Sequence, residues 1–446
     1  MTPSLVWGER QGGGDPFETH SPLDGALLAE GELLGVFDAL GRSDLPRGLD
    51  LVSGTDRLAA ELRRLDRALV DAARRETGFS LQDSEELIEG SIAYVEAYAS
   101  HPSTALVSRT EEIRSDRRMR LVDVPVGTVA AILPHNAFLP LALSVGLNAL
   151  HAGNRAILRA PQGSALSASL LTDALERTPE LAPWLSVAVC SARPFVDWFL
   201  KAPLPGLLHF FGSSRHAADL VARGFTAGKD VLIDGEGNAW AYVDAGADPE
   251  AAARILAEGA FRYRGQTCTS LNGAFVHPSL FAEVSQRVVA HAREAESGPL
   301  FDEAQAEWCL SRVLGAGGEI VAGGARTGSV LEPTVLLNPD PRSELVREGL
   351  FGPALWLASG DESAFAAHWP SNRFPLCAAV LQEPADPEGW AARLPNVARL
   401  VLNGDPSVED PFEFWGGYPP SGQNPVSPWP AKYRRTIQVD TPLDLP

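Results

Sequence analysis

Between Val124 and Asn154 the chain carries no Lys, Arg, Asp or Glu, and no other feature restricts its fold so much. An uncharged run of that length belongs either in a lipid bilayer or in a wide protein core. Pro125, Pro134, Asn136, Pro140, Asn148 and Gly153 decide between the two, because they interrupt any single helix long enough to cross a bilayer. The run therefore reads as a strand, a loop and a helix inside an α/β core.

The flanking segments agree. Ala156-Ile157-Leu158 and Val187-Ala188-Val189 read as short buried strands separated by a helix near Ser164 to Leu175, the alternation of a parallel sheet. Upstream, Leu58, Leu62, Leu65 and Leu69, then Leu87, Ile88, Ile92 and Val95, recur at helical spacing and predict two amphipathic helices in the first hundred residues. Asp248-Pro249-Glu250 starts a further helix, with Asp248 as N-cap and Pro249 at the first helical position. Tyr433 to Val439 reads as a closing strand.

Composition narrows the class of protein. The 446 residues suffice for two or three domains with a large core. A net charge of -20, from 37 basic and 57 acidic residues, argues against nucleic acid or an anionic membrane as partner. Cys190, Cys268, Cys309 and Cys377 show no paired spacing and no basic, apolar leader opens the chain, so a reducing cytoplasm is the expected compartment. The nine histidines form no metal-ligand pattern, and no metal is expected.

The helix that begins at Pro249 leads to Gly265-Gln266-Thr267-Cys268-Thr269-Ser270. A thiol set among small and hydroxylated residues is open to a substrate, and a thiolate is a strong nucleophile toward a carbonyl carbon. Several strings around it resemble the aldehyde dehydrogenase superfamily and follow that family's order along most of the chain. They are Phe17-Glu18-Thr19-His20-Ser21-Pro22-Leu23-Asp24-Gly25, Val124-Pro125-Val126-Gly127-Thr128-Val129 leading into Ile132-Leu133-Pro134-His135-Asn136, and Phe211-Gly212-Ser213-Ser214. Beyond the cysteine come Leu331-Glu332-Pro333-Thr334-Val335, Leu350-Phe351-Gly352-Pro353, and Phe414-Trp415-Gly416-Gly417-Tyr418 with Ser421-Gly422.

The resemblance implies an aldehyde dehydrogenase-like α/β fold: a Rossmann-type cofactor domain over 1–232, with part of an oligomerisation arm near 105–124, a catalytic domain over 233–425, and a small β arm over 426–446. It makes Cys268 the nucleophile that oxidises a small-molecule aldehyde to an acid through a thiohemiacetal and a thioester. Asn136 then points a neutral amide donor at the oxygen of the attacked carbonyl, without placing a competing acid beside the thiolate. Pro134, Arg159, Gly212, Ser213, Glu348 and Phe351 fall at cofactor-binding positions for NAD or NADP, the glycine letting the backbone approach phosphate at a helix N-terminus. In relatives the closing strand pairs across a subunit interface, so a homodimer or a dimer of dimers is expected.

Several positions depart from the family. Asp234 stands where hydrolytic members place the glutamate that activates water, and Glu236 is a second candidate for that base. Gly235-Glu236-Gly237-Asn238 is similar to a string of the acylating branch, in which coenzyme A rather than water resolves the thioester. Arg159 replaces a lysine, Gly349 a glutamate (with Glu348 one place earlier), Ala217 a glycine, and Cys190-Ser191-Ala192-Arg193-Pro194 a glycine-bearing turn. Arg159 and Arg193 are candidates to meet a 2′-phosphate. The chain is also short between Cys268 and Phe351. These changes leave three readings open: a hydrolytic dehydrogenase, a coenzyme A-acylating one, and a silent relative that binds rather than catalyses. Trp198, Trp308, Phe412, Trp415 and Trp429 are candidates to line an apolar substrate tunnel, or else core.

Overall fold

The computed structural model describes residues 2–41, 48–101, 111–114, 117–382 and 386–442. The uncharged run resolves into the strand Thr128–Ile132, a loop, and the helix Phe138–His151. Its two buried asparagines are engaged. Asn148 receives the Tyr98 hydroxyl at 3.0 Å and donates to that of Tyr94 at 2.8 Å, while Asn154 bonds Gly127 N at 2.8 Å and Tyr433 O at 2.9 Å. Among the described residues no helix is long and apolar enough to cross a membrane.

Thr128–Ile132 is the middle of five parallel strands, in the order Leu185–Val189, Arg155–Ala160, Thr128–Ile132, Gly206–Phe211 and Asp230–Asp234. Two of them are the strands expected from the sequence, and the helix between them runs Ala165–Glu176. Ser4–Val6 pairs antiparallel with Leu185–Val189, and Gly422–Ser427 with Asp230–Asp234, so both ends of the chain extend this sheet. A second sheet of seven strands holds Ala239–Val243 and Leu271–Val276 side by side at its centre, and is parallel except for its outermost strand, Glu319–Ala322. Trp240, Trp356, Trp369 and Trp390 are fully buried around it, each contributing about 2–3 kcal/mol by leaving water. The fold is thus α/β, as expected.

The opening string forms a hairpin of Gly13–His20 and Leu27–Leu34, closed by Gly25 N to Ser21 O at 2.9 Å. Asp248 caps the helix Pro249–Phe261 through Ala251 N at 2.8 Å. The closing strand Arg434–Pro442 pairs over nine positions with Arg117–Pro125, which also pairs with Glu111–Arg114. Within the expected arm segment near 105–124, residues 105–110 and 115–116 lie outside the described residues.

Among the described residues the first hundred positions hold three α-helices rather than two: Leu51–Arg64, Asp66–Thr77 and Leu81–Ala97. The leucine stripe is continuous in sequence, but Leu65 leaves helical geometry at φ -95 and ψ 1 and ends the first helix. Hydrophobic spacing does not register such a one-residue break.

Glu76, on the second of these helices, is 3 % exposed and caps the helix Ala165–Glu176, accepting from Leu166 N at 2.7 Å and Ser167 N at 3.2 Å, and from the Ser167 hydroxyl. Burial raises its pKa to about 7 against the opposing effect of those hydrogen bonds. Because the folded value lies above the unfolded 4.5, the resulting stability is complete below that pH and is lost as pH rises toward 7. A shift of this size corresponds to on the order of 3 kcal/mol. Glu76→Gln keeps the cap and removes the titration. Melting temperature measured from pH 4.5 to 8 should therefore fall more steeply in the wild-type chain than in the variant, and parallel curves would refute the assignment.

Candidate active site

The loops after the parallel strands of the first sheet emerge at one edge. From Thr128–Ile132 the strand order proceeds in opposite directions, so the loops after this strand and after Gly206–Phe211 flank a topological switch, where open α/β sheets bind ligands. Pro134 and Asn136 lie in the first loop and Gly212 and Ser213 in the second; Arg159 and Asp234 sit at or near the ends of neighbouring strands.

Asp234 is followed by a short passage, Gly235 to Asn238, that carries the chain to the second sheet. A β-carbon at Gly237 would collide with the Cys268 carbonyl oxygen, so the passage packs directly against the thiol loop. That loop is reached through an unusual turn. Tyr263 (φ 50), Arg264 (φ 57) and Gly265 (φ 64) are left-handed in succession, which costs the two non-glycine residues about 1–2 kcal/mol each. Tyr263 N donates to Asp83 Oδ2 at 3.2 Å, and the buried Arg264 guanidinium binds the Glu296 carboxylate at 2.7 Å and the Glu296 carbonyl. Gly265 sits where any side chain would strike Gly352. These contacts hold the strained turn and fix the residues that follow.

Cys268 is half-buried, enclosed by protein but reached by solvent, whereas Cys190, Cys309 and Cys377 are buried. Burial pushes its thiol well above the ordinary value, reinforced by Glu409, Cys377 and Asp234 and partly opposed by its own backbone N–H. Asn136 is brought to this loop: its Nδ2 donates to Gln266 O at 2.8 Å, two residues before the cysteine. The adjacent His135 binds Glu76 O at 2.7 Å, and burial holds its pKa down at about 4, so it is neutral.

The carboxylates differ in their engagement. Asp234 is buried, with Oδ2 2.6 Å from His209 Nε2, and Asn424 Nδ2 within 3.1 Å of both oxygens. His209 continues to the Tyr433 hydroxyl at 2.9 Å, and Asn424 to Lys432 Nζ at 2.9 Å. Glu236 accepts from the Ser213 hydroxyl and from Ser214 N, both at 2.6 Å. Burial alone would raise its pKa, but the bonds from this serine turn outweigh that and lower it. A third acid, Glu409, which the sequence reading did not single out, accepts the Thr269 hydroxyl at 2.7 Å beside Cys268.

The remaining candidates are distributed around this centre. Phe351 is near the thiol loop: Gln305 Nε2 donates to its carbonyl at 2.6 Å and reaches Gln266 Oε1 at 3.4 Å. Glu348 is held by Arg312 at 2.8 Å and Arg373 at 2.6 Å; burial opposes its ionisation, and the two arginines lower its pKa overall. Arg159 Nε donates to Cys190 O at 2.9 Å, and Arg193 is exposed. Of the tunnel aromatics, Trp198 packs with Phe37, Phe195 and Phe199, and Trp308 lies exposed under Arg312. Phe412 packs on Tyr94 and His101, and Trp429 beside His209.

Known proteins share both the sequence and this architecture. The chain is 26% identical over 378 residues to the putative aldehyde dehydrogenase AldY of Bacillus subtilis, covering 80% of this chain and 77% of that protein. It is also 26% identical over 330 residues to a 3-sulfolactaldehyde dehydrogenase of Priestia aryabhattai, covering 70% and 69%. Its fold matches the crystal structure of a succinate-semialdehyde dehydrogenase from Burkholderia pseudomallei with a TM-score of 0.89 at 22% identity, over 99% of this chain and 98% of that one. A glyceraldehyde-3-phosphate dehydrogenase from Methanocaldococcus jannaschii, complexed with NADP, matches with a TM-score of 0.82 at 19% identity over 97% and 99%. The model of the aldehyde dehydrogenase family matches residues 54–439, and with the thiol loop, the switch-point loops and the passage between the sheets in place, the chain belongs to that family.

Proposed function

We propose that Cys268 carries out the NAD(P)-dependent oxidation of an aldehyde to a carboxylic acid, with Asn136 as its oxyanion donor. The observation behind this reading is the Asn136–Gln266 bond, which places the amide within two residues of the only cysteine that solvent reaches among the four. One Nδ2 hydrogen is used in that bond, leaving the other, with the Cys268 backbone N–H, for the oxygen of a bound carbonyl. As the thiol sulfur bonds to the carbonyl carbon, the two donors stabilise the negative oxygen of the thiohemiacetal. NAD(P), when bound, supplies the hydride acceptor that turns this adduct into a thioester. Hydrolysis of the thioester releases the acid and restores the thiol.

The serine turn after Phe211 fits a dinucleotide phosphate, because it already holds an anion: the Glu236 carboxylate occupies its hydroxyl and amide donors. Ser213 and Ser214 would hold the phosphate, and Glu236 must yield the turn to it. Since both oxygens of Asp234 are also engaged, transfer of the acyl group to coenzyme A is the second reading. Reversible pairing of a second copy along Arg434–Pro442, an edge strand among the described residues that carries the exposed Ile437 beside the exposed Leu121 of Arg117–Pro125, would give a homodimer. The four unpaired thiols suit a reducing, cytoplasmic setting.

Three outcomes test these assignments. With an aldehyde panel, NAD or NADP, and coenzyme A present or absent, nicotinamide absorbance should rise without coenzyme A. Cys268→Ala should abolish the rise and Asn136→Ala should lower kcat about 10²- to 10³-fold; turnover only with coenzyme A would select the acylating branch. Glu236→Gln removes the resident anion, so quenching of tryptophan fluorescence should show dinucleotide binding tightened about threefold to tenfold. Unchanged affinity would mean that Glu236 does not compete. Light scattering should give twice the chain mass for the wild type and the chain mass for Leu121→Asp/Ile437→Asp; a monomeric wild type would reject the arm interface.

A further inference from the structure

The thioester proposed above needs a base to bring water onto it; Asp234 is engaged with His209 and Asn424, and Glu236 makes its bonds at the serine turn and not at the thiol loop. Glu409 differs from both. Its Oε1 accepts the Thr269 hydroxyl at 2.7 Å, which ties it to the residue after Cys268; the residue as a whole is exposed, while its carboxyl group is surrounded by protein. Its charge, like that of Asp234, adds to the burial that raises the pKa of the Cys268 thiol. The loop that carries it is braced just ahead of it: Arg399 donates to the Pro406 carbonyl and, at 2.8 Å, to Val408 O, and pairs with Glu413 at 3.0 Å. Asp405 takes Ser407 N and the Ser407 hydroxyl, each at 2.7 Å.

We propose that Glu409 is the general base that deacylates Cys268, an inference that rests on the thioester chemistry of the preceding section. Glu409 takes a proton from water as the water oxygen bonds to the thioester carbon. The carbon–sulfur bond then breaks, and the proton held by Glu409 passes to the Cys268 sulfur. One water and one thioester become one carboxylic acid and the free thiol, with no external oxidant or reductant. Burial raises the pKa of Glu409, partly offset by Thr269 and Arg399, which makes it a stronger base than a free carboxylate. Thr269 is the positioning residue, since it touches Glu409 and not the reacting atoms.

The test uses 4-nitrophenyl acetate, an activated ester that acylates a reactive thiol without dinucleotide or aldehyde. The wild-type chain should release nitrophenolate continuously, and Cys268→Ala should not. Glu409→Gln should keep a burst of about one nitrophenolate per chain, which reports a folded, reactive thiol, and then slow at least about 100-fold. Glu409→Asp should recover part of the steady rate. Hydroxylamine, which attacks a thioester without a base, should restore continuous release in Glu409→Gln. A steady rate for Glu409→Gln within about threefold of wild type overturns the proposal. So does loss of the burst together with the steady rate, failure of hydroxylamine to restore release, or a wild-type chain whose Cys268 does not open the ester. Ester turnover with the expected Glu409 behaviour, but no aldehyde oxidation with either dinucleotide, would reject the oxidation and leave the base in place.

Discussion

The geometry of the site depends on the short passage from Asp234 to Asn238. It is the covalent link from the last parallel strand of one sheet to one of the two strands at the centre of the other, and it leaves no room for a side chain at Gly237, where it presses on the Cys268 carbonyl. Asp234 anchors its start through His209 and Asn424, which belong to a neighbouring strand and to a strand nearly two hundred residues later. Asn238 anchors its end through Asn372 Nδ2 at 2.8 Å and Val346 O at 2.9 Å. A buried carboxylate with both oxygens bonded is a strong constraint, because breaking either bond leaves a charge without compensation. The distance between the switch-point loops and the thiol is set by these two anchors.

The second constraint is local. Successive left-handed residues are expensive, and they persist before Cys268 because partners from Asp83, Glu296 and Gly352 over-determine them. The benefit is directional: the helix Pro249–Phe261 ends, the chain turns sharply, and the thiol loop arrives against the passage instead of continuing along the helix axis. Asn136 closes the arrangement from the other sheet through Gln266, so three separate segments meet within a few residues of one sulfur.

Much of this was legible in the residues. The uncharged run, its proline interruptions and the Asp248 cap dictate local structure through spacing and hydrogen-bond chemistry, and the structure follows them. The thiol loop and the switch-point loops were legible as strings because their glycines and small residues are required by close approach. The break at Leu65 was not, since one residue leaving helical geometry does not alter a hydrophobic stripe. Nor were the partners of Asp234 and Glu236: a carboxylate in a string reads as available, and only tertiary contact shows that His209 or Ser213 has taken it. Glu409 gave no periodic or motif signal, because it owes its place to the Arg399 brace and not to its own neighbours in sequence. Trp198 and Trp308 illustrate the converse, large aromatics whose packing lies away from the thiol.

The charges around Cys268 also determine the order of events. A nucleophilic thiol is commonly activated by a nearby cation or helix N-terminus, but here burial is the largest influence and the neighbouring acids Glu409 and Asp234 reinforce it, so the resting thiol is neutral. A neutral thiol in a recess resists oxidation and unselective alkylation. In the proposed mechanism a carbonyl bound beside Asn136 and the Cys268 N–H has two donors for the oxygen that gains charge, and the sulfur proton passes by way of a carboxylate to solvent before water is activated. In that scheme negative charge is carried by an oxygen that the protein solvates, and the thiolate need never accumulate. The same placement serves the second half of the reaction, in which the electrophile is already covalently held and the group that must lose a proton is water. An acid beside the nucleophile, unfavourable for a free thiolate, suits a cycle with two deprotonations, first of the sulfur and then of the water that attacks the same carbon.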